Sequence, residues 1–181
     1  ICGGKTIKLV SLQLLIMKLL STLFFLVFSV TVIAQSNMPD DREFISKRQF
    51  FKLSYPDAWN VYENPNGTYH FERASVATGE FEIKESRAFS DSNEVMHYLD
   101  NESFSHPNAK YQYHEGKTIL SYNSMLLIEG KETMVFVWLV ANKNTVLTCR
   151  FIVDNKLKAS PKAQIELMEV NMMIQSITFL K

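Results

Sequence analysis

Nine consecutive residues, Thr133 to Ala141, read Thr-Met-Val-Phe-Val-Trp-Leu-Val-Ala and offer apolar side chains to both faces of an extended chain. Successive side chains of a strand point to opposite faces, so a half-buried strand alternates apolar and polar residues. A strand without that alternation has both faces covered. This segment is therefore expected to be a central strand covered on both sides, or on one side by helix and on the other by a further layer.

The neighbouring segments supply strands to flank it. Lys110 to Tyr113 with Lys117 to Ile128, then Lys131 to Ala141, then Thr145 to Asp154 are strand-like, with Gly130 and Asn142-Lys143-Asn144 at the turns between them. Upstream, Phe51, Leu53 and Tyr55 alternate with Lys52 and Ser54 until Pro56-Asp57-Ala58 breaks the pattern before Trp59. Asn60 to Glu63 and Thr68 to Glu72 bracket Asn64-Pro65-Asn66-Gly67, a hairpin turn in which Gly67 accepts positive φ without steric cost. Ala77-Thr78-Gly79 bends into Glu80-Phe81-Glu82-Ile83-Lys84, whose apolar residues are expected inward and whose charges are expected outward.

Two helices complete the pattern. Asp91-Ser92-Asn93-Glu94 is a start signal, with a side chain to cap free amides and an early acid facing the helix dipole. Val95, Met96, Tyr98 and Leu99 give that helix its stripe, with an end expected near Asn101. Ser160-Pro161 opens the second, where proline's missing N–H has no consequence. Ala163, Leu167, Val170, Ile174 and Ile177 recur at four- and three-residue spacing, and Met168, Met172 and Met173 are expected to widen this face against the sheet. Ser176 to Leu180 is expected to close the chain as an edge strand. Strands, one helix, more strands and a closing helix imply an antiparallel β-sheet flanked by helices, hence an α+β fold.

The order of these pieces resembles the PsbP-like family of α/β/α sandwich domains, which includes periplasmic relatives of the DcrB type. Phe51-Lys52-Leu53-Ser54-Tyr55-Pro56-Asp57-Ala58-Trp59 is similar to its aromatic strand running into Tyr-Pro-x-x-Trp. The hairpin into Glu80-Phe81-Glu82-Ile83, the helix from Ser92, the meander carrying Trp138 and the closing Ile174-Gln175-Ser176-Ile177 follow in the same order, so that the resemblance covers roughly 50–179. It implies a mostly non-enzymatic accessory, chaperone-like or binding protein, and it supplies no shared catalytic residue. Physically, Pro56 would stop the strand and let Trp59 fold back under the sheet as a plug. A cystatin-like α+β sheet is the alternative architecture.

The N-terminal region has a different character. Met17-Lys18 precedes an uncharged apolar run, Leu19 to Val30, then Thr31-Val32-Ile33-Ala34, the pattern of a secretory signal peptide cut after Ala34. The apolar stretch is shorter than the roughly 20 residues that span a bilayer, which favours cleavage over a retained anchor. Residues 1–16 are expected to be a non-native upstream extension, 17–34 the signal peptide, 35–43 a flexible lead-in and 44–181 one domain. The expected location is outside the cytoplasm, periplasmic or secreted, with no stable membrane span after cleavage.

Downstream of residue 34 there are 19 acidic residues against 16 basic ones, a net charge of −3. Such a mildly acidic, mixed surface gives no electrostatic reason to expect nucleic acid as a partner. Cys149 is left as a single cysteine, so no internal disulfide is expected. Its alternation with Leu147, Phe151 and Val153 marks it as a buried apolar residue.

No nucleophile elbow, phosphate-binding Gly-rich loop or Cys-x-x-Cys pair is present, and no catalytic residue, cofactor or metal is expected. Glu94 and His97 lie three apart on one helix, but a metal needs at least three convergent ligands, and His70, His106 and His114 are distant in sequence. Glu80 and Glu82 are expected on the outward face of a strand and Asp40 and Asp41 in the lead-in, positions that do not raise a carboxylate pKa. Tyr111 and Tyr113 share one strand face with Tyr122 farther along, a candidate partner or ligand surface. The plainer alternative packs them under the 91–101 helix.

Three functions follow as expectations. The first is an exported, non-enzymatic binding or accessory module that recognises a protein partner in the cell envelope, in a chaperone-like or toxin-neutralising role. The second is a small-molecule or lipid carrier. The third is a cryptic metal-dependent hydrolase built on Glu94 and His97.

Overall fold

The computed structural model describes residues 41–180. The expected extension 1–16, the signal peptide 17–34 and the lead-in as far as residue 40 lie outside the described residues. Pro39–Lys181 forms one compact unit. Among the described residues ten strands and two helices follow in the order β1 (Asp41–Ile45), β2 (Phe51–Pro56), β3 (Trp59–Glu63), β4 (Thr68–Arg73), β5 (Gly79–Ala88), α1 (Ser92–Ser105), β6 (Lys110–His114), β7 (Lys117–Ile128), β8 (Lys131–Asn142), β9 (Thr145–Asp154), α2 (Pro161–Ser176) and β10 (Thr178–Phe179). Among the described residues no helix is long and apolar enough to cross a membrane.

The strands form two antiparallel sheets, a small one in the order β1-β2-β10 and a large one in the order β3-β4-β5-β9-β8-β7-β6. In the large sheet β3-β4-β5 is a meander. The chain then crosses through α1 to the opposite edge and returns by β6-β7-β8-β9 to pair with β5. The class is α+β, as the pattern of elements implies.

β8 fulfils the expectation of a central strand covered twice. Its Trp138 and Val140 join a core with Phe51 and Leu53 of β2, Trp59, Phe71, Phe81, Cys149, and Ala163, Val170 and Ile174 of α2. Its Val135, Val137, Leu139 and Ala141 face the other way, into a second core with Val95 and Leu99 of α1. The small sheet and α2 therefore lie on one face of the large sheet and α1 on the other. Trp59 and Cys149 are fully buried in the first core.

Several expectations need correction. Residues 41–43, assigned to a flexible lead-in, are part of β1, whose ladder runs from Asp41 opposite Pro56 to Ile45 opposite Lys52. Its side chains are mostly exposed, so the backbone ladder and the one ring of Phe44 against Phe51, Tyr69 and Phe71 hold it, and the sequence shows no apolar period. α1 continues to Ser105 because the break comes only at His106, whose extended backbone (φ −127°) is what a residue before proline prefers. Met168 is 55 % exposed and does not face the sheet, whereas Glu166 and Glu169, on the buried stripe, do. Glu82 is not solvated on an outward face either: it is 7 % exposed and ion-paired with Arg150 of β9.

Candidate functional site

The face covered by α1 gathers the tyrosines singled out from the sequence. Asp91 caps α1 by accepting from the amides of Asn93 at 2.8 Å and Glu94 at 3.0 Å, and Val95 and Leu99 pin the helix to the sheet. This brings the carboxylates of its last turns over β6 and β7. Tyr111 donates its hydroxyl to Asp100 at 2.8 Å, and Tyr122 donates to Glu102 at 3.1 Å. The His106 ring stacks on Tyr122 with centroids 3.8 Å apart and lies 3.7 Å from the Glu102 carboxylate.

These contacts keep both phenols protonated. Burial, with the hydrogen bond to Asp100 next, pushes the Tyr111 hydroxyl up to about 12. Burial and the Glu102 charge likewise raise that of Tyr122. Neither is a candidate base; both are hydrogen-bond donors tied to the helix. Tyr113 differs, since its side chain is 74 % exposed, and Phe104 on α1 is 93 % exposed. The sequence pattern placed Tyr111 and Tyr113 on one strand face with Tyr122 farther along, but it did not distinguish the tethered pair from the free one, and it passed over Phe104. A phenylalanine among Asn101, Glu102, Ser103 and Ser105, off the Val95–Leu99 stripe, was the available signal.

Glu94 and His97 line an open cleft of about 660 Å³ at the start of α1, together with Phe89, Asp91 and Tyr98. The Glu94 carboxylate is engaged there by the Ser90 amide at 3.0 Å and the Ser90 hydroxyl at 2.9 Å, as a helix-capping group. Among the described residues no three His, Cys, Asp or Glu side chains converge as metal ligands. His114 and Glu115 sit at the β6–β7 turn, 3.7 Å apart and largely exposed.

Other polar groups come together that the sequence does not announce. His70 lies between Asn64, whose amide is 2.7 Å from Nε2, and Glu80 on Nδ1, with the Tyr62 ring stacked over it at 5.1 Å. Both ring nitrogens are occupied, so the pair offers no free nitrogen to a substrate. Glu166, fully buried on α2, accepts from the Thr78 amide at 3.0 Å, the Thr78 hydroxyl and the Gly79 amide at 3.2 Å. Lys117 reaches from β7 to the carbonyls of Gln175 and Ile177, and burial lowers its pKa. It neutralises the carbonyl end of α2, where a cation interacts favourably with the helix dipole. The available signal was position: Lys117 shares a strand face with Ile119, and Glu166 lies three residues from Ala163 and four from Val170.

Antiparallel strands in this order, with one helix on one face and a helix plus small sheet on the other, make a PsbP-like fold. A cyanobacterial PsbP (CyanoP) from Synechocystis sp. PCC 6803 shares it with a TM-score of 0.50 at 9 % identity, over 83 % of this chain and 99 % of that one. A crystal structure from Bacteroides thetaiotaomicron VPI-5482 matches with a TM-score of 0.62 at 22 % identity, over 80 % of this chain and 50 % of that one. The chain thus spans about half the length of that protein. Within this fold the chain belongs to the family described as a domain of unknown function (DUF3805), which matches residues 39–176. No curated protein matches the sequence.

Proposed function

We propose that the chain is an exported, non-catalytic module that binds a protein partner in the cell envelope through the α1 side of the domain. The observation that supports this is the pairing of tethered and free aromatics. Tyr111 and Tyr122 are held by Asp100 and Glu102, while Tyr113 and Phe104 stand 74 % and 93 % exposed on the same side of the large sheet. Large aromatics lose little conformational entropy on binding and commonly anchor protein interfaces. A photo-crosslinking residue placed at Tyr113 in the exported protein, with Glu72 as the control position, tests the reading. A discrete adduct from Tyr113 that is absent from Glu72 and lost in Phe104→Ala is expected. Identical adducts at both positions, or none at Tyr113, would dismiss it.

A carrier role draws on a separate observation, the cleft of about 660 Å³ walled by Phe89 and Tyr98. A ligand that binds the folded state there stabilises it increasingly as its free concentration exceeds its dissociation constant. A thermal-shift screen of lipids and small metabolites should then give a hit that Tyr98→Ala abolishes; no shift with any compound removes this alternative.

A further inference from the structure

β7 is longer than the strand beside it. β6 pairs with β7 only from Lys117 to Ser121, whereas β8 pairs with its other edge as far as Ile128 opposite Lys131. From Tyr122 to Ile128 the outer edge of β7 therefore has no strand partner among the described residues. The Asn108 amide, just before β6, donates to the Asn123 carbonyl at 2.9 Å and so fixes that carbonyl on the outer edge. Backbone groups alternate sides along a strand, so the N–H and C=O of Met125 and Leu127 also face outward.

The side chains of this free edge are apolar and uncovered. Met125 is 55 %, Leu126 47 %, Leu127 73 % and Ile128 40 % exposed. Thr118 to Ile128 contains no charged residue and no proline. Edge strands are ordinarily guarded by a lysine, a proline or a bulge that prevents strand addition. Here every guard is missing where two faces of apolar side chains and two outward amides coincide.

We propose that this edge is an interface with a second copy of the chain, β7 pairing antiparallel with β7 about a two-fold axis at Leu126. Outward amides and carbonyls in this alternation match those of another extended strand. The segment is also complementary to itself. Leu126 meets Leu126 and Ser124 meets Ile128 on one face, while Met125 of one copy meets Leu127 of the other on the opposite face. In this register the two Met125–Leu127 pairs each exchange two N–H···O bonds, and the Asn123 carbonyl keeps Asn108. An axis at Met125 would instead oppose Asn123 to Leu127 and displace Asn108. Glu129 comes opposite Asn123, so the pairing confronts no like charges. The four apolar side chains expose roughly 400 Å² per copy; with Ser124 and the backbone, the pair would bury about 1,000 Å², near the lower end of specific interfaces. A reversible dimer follows rather than a permanent one.

Sedimentation of the compact Pro39–Lys181 unit, which contains the described residues of both cores, tests this between about 1 and about 200 μM. A concentration-dependent rise to twice the monomer mass is expected, with slowed hydrogen exchange at the Met125 and Leu127 amides in the dimer. Met125→Pro removes an outward N–H without touching the β8 ladder, and Leu127→Lys adds the missing guard charge. Each should lose the dimer while retaining the circular dichroism and midpoint of the dilute wild type. A wild type that stays monomeric over the whole range overturns the proposal, as does a dimer that survives both substitutions. A full-length monomer with those two amides protected would put another strand on the edge, from residues 1–40 or from a foreign peptide, and would equally overturn it.

Discussion

The indole N–H of Trp59 donates to the Glu169 carboxylate at 2.8 Å, joining residues 110 apart in sequence, and Arg73 holds the other carboxylate oxygen at 3.1 Å. The carboxylate sits on the buried side of α2 and is compensated by both partners, so the helix docks in one register on the start of β3. Trp59→Phe keeps most of the plug but takes one donor from a buried charge. A loss of about 1–3 kcal/mol is expected for such a vacated bond, and about 3–5 kcal/mol for Trp59→Ala, which also opens a cavity. Urea denaturation followed by circular dichroism measures both.

Glu166 performs a comparable task for the β4–β5 bend, where its carboxylate accepts from the Thr78 and Gly79 amides as the chain enters β5. Glu166→Ala should destabilise the domain by about 2–4 kcal/mol, the sum of orphaned donors and lost packing. Gly79 admits no side chain at this approach, because a Cβ there would lie 2.5 Å from the Phe151 ring and 2.8 Å from the Ile152 carbonyl. Gly79→Ala should cost about 1–3 kcal/mol by overpacking, and Glu166→Gln, which keeps an acceptor, should fall between wild type and Glu166→Ala. Thermal midpoints at one pH rank the three.

Alkaline pH should weaken the α1 face. Tyr111 and Tyr122 have folded pKa values above their ordinary value of 10, so the folded state holds protons that the unfolded chain releases. Their contribution is complete below pH 10 and is lost as pH rises toward about 12, the folded value for Tyr111. Buried Lys117, whose pKa is lowered, acts in the opposite sense as pH rises toward 10.5, its ordinary value. Unfolding midpoints at several alkaline pH values should fall for wild type and fall less steeply for the Tyr111→Phe, Tyr122→Phe double variant.

Cys149 should be chemically silent in the folded domain. It is fully buried between strands, and desolvation raises its thiol pKa, so neither access nor thiolate is supplied. Labelling by an aromatic disulfide reagent should require opening of the fold and be slower than labelling of the urea-unfolded chain by orders of magnitude. Fast, concentration-dependent labelling in buffer would contradict the burial.

The legibility of these elements in the sequence varied with the kind of signal each carried. β8 was readable because Thr133–Ala141 is apolar at every position that either core uses. The cap at Asp91, the Pro161 start and the turn at Gly67 (φ +78°) were readable because each depends on one residue's local chemistry. β1 was not, since only Phe44 of its five side chains packs on the core and the rest of its definition is the backbone ladder to β2. Glu166, Glu169 and Lys117 were missed because charged residues are rarely buried, and only distant partners make their burial tolerable.

The candidate surface divides in the same way. Alternation alone set Tyr111 and Tyr113 on one side of β6, but Asp100 and Glu102 reach their tyrosines only after α1 has crossed the sheet. That crossing also leaves Tyr113 and Phe104 uncovered.

By itself the sequence determined the α+β class, the central place of β8, the ends of most strands and the burial of Trp59 and Cys149. All of these follow from side-chain periodicity and local backbone preference. Only the tertiary structure decided that β2 leaves the large sheet to pair with β1 and β10, which buried charges are neutralised, and that β7 outruns β6 to leave Met125 and Leu127 on an open edge. Strand partners and charge partners are long-range choices, fixed by whichever backbone and counter-charge arrive alongside, and a single segment carries no record of its neighbours.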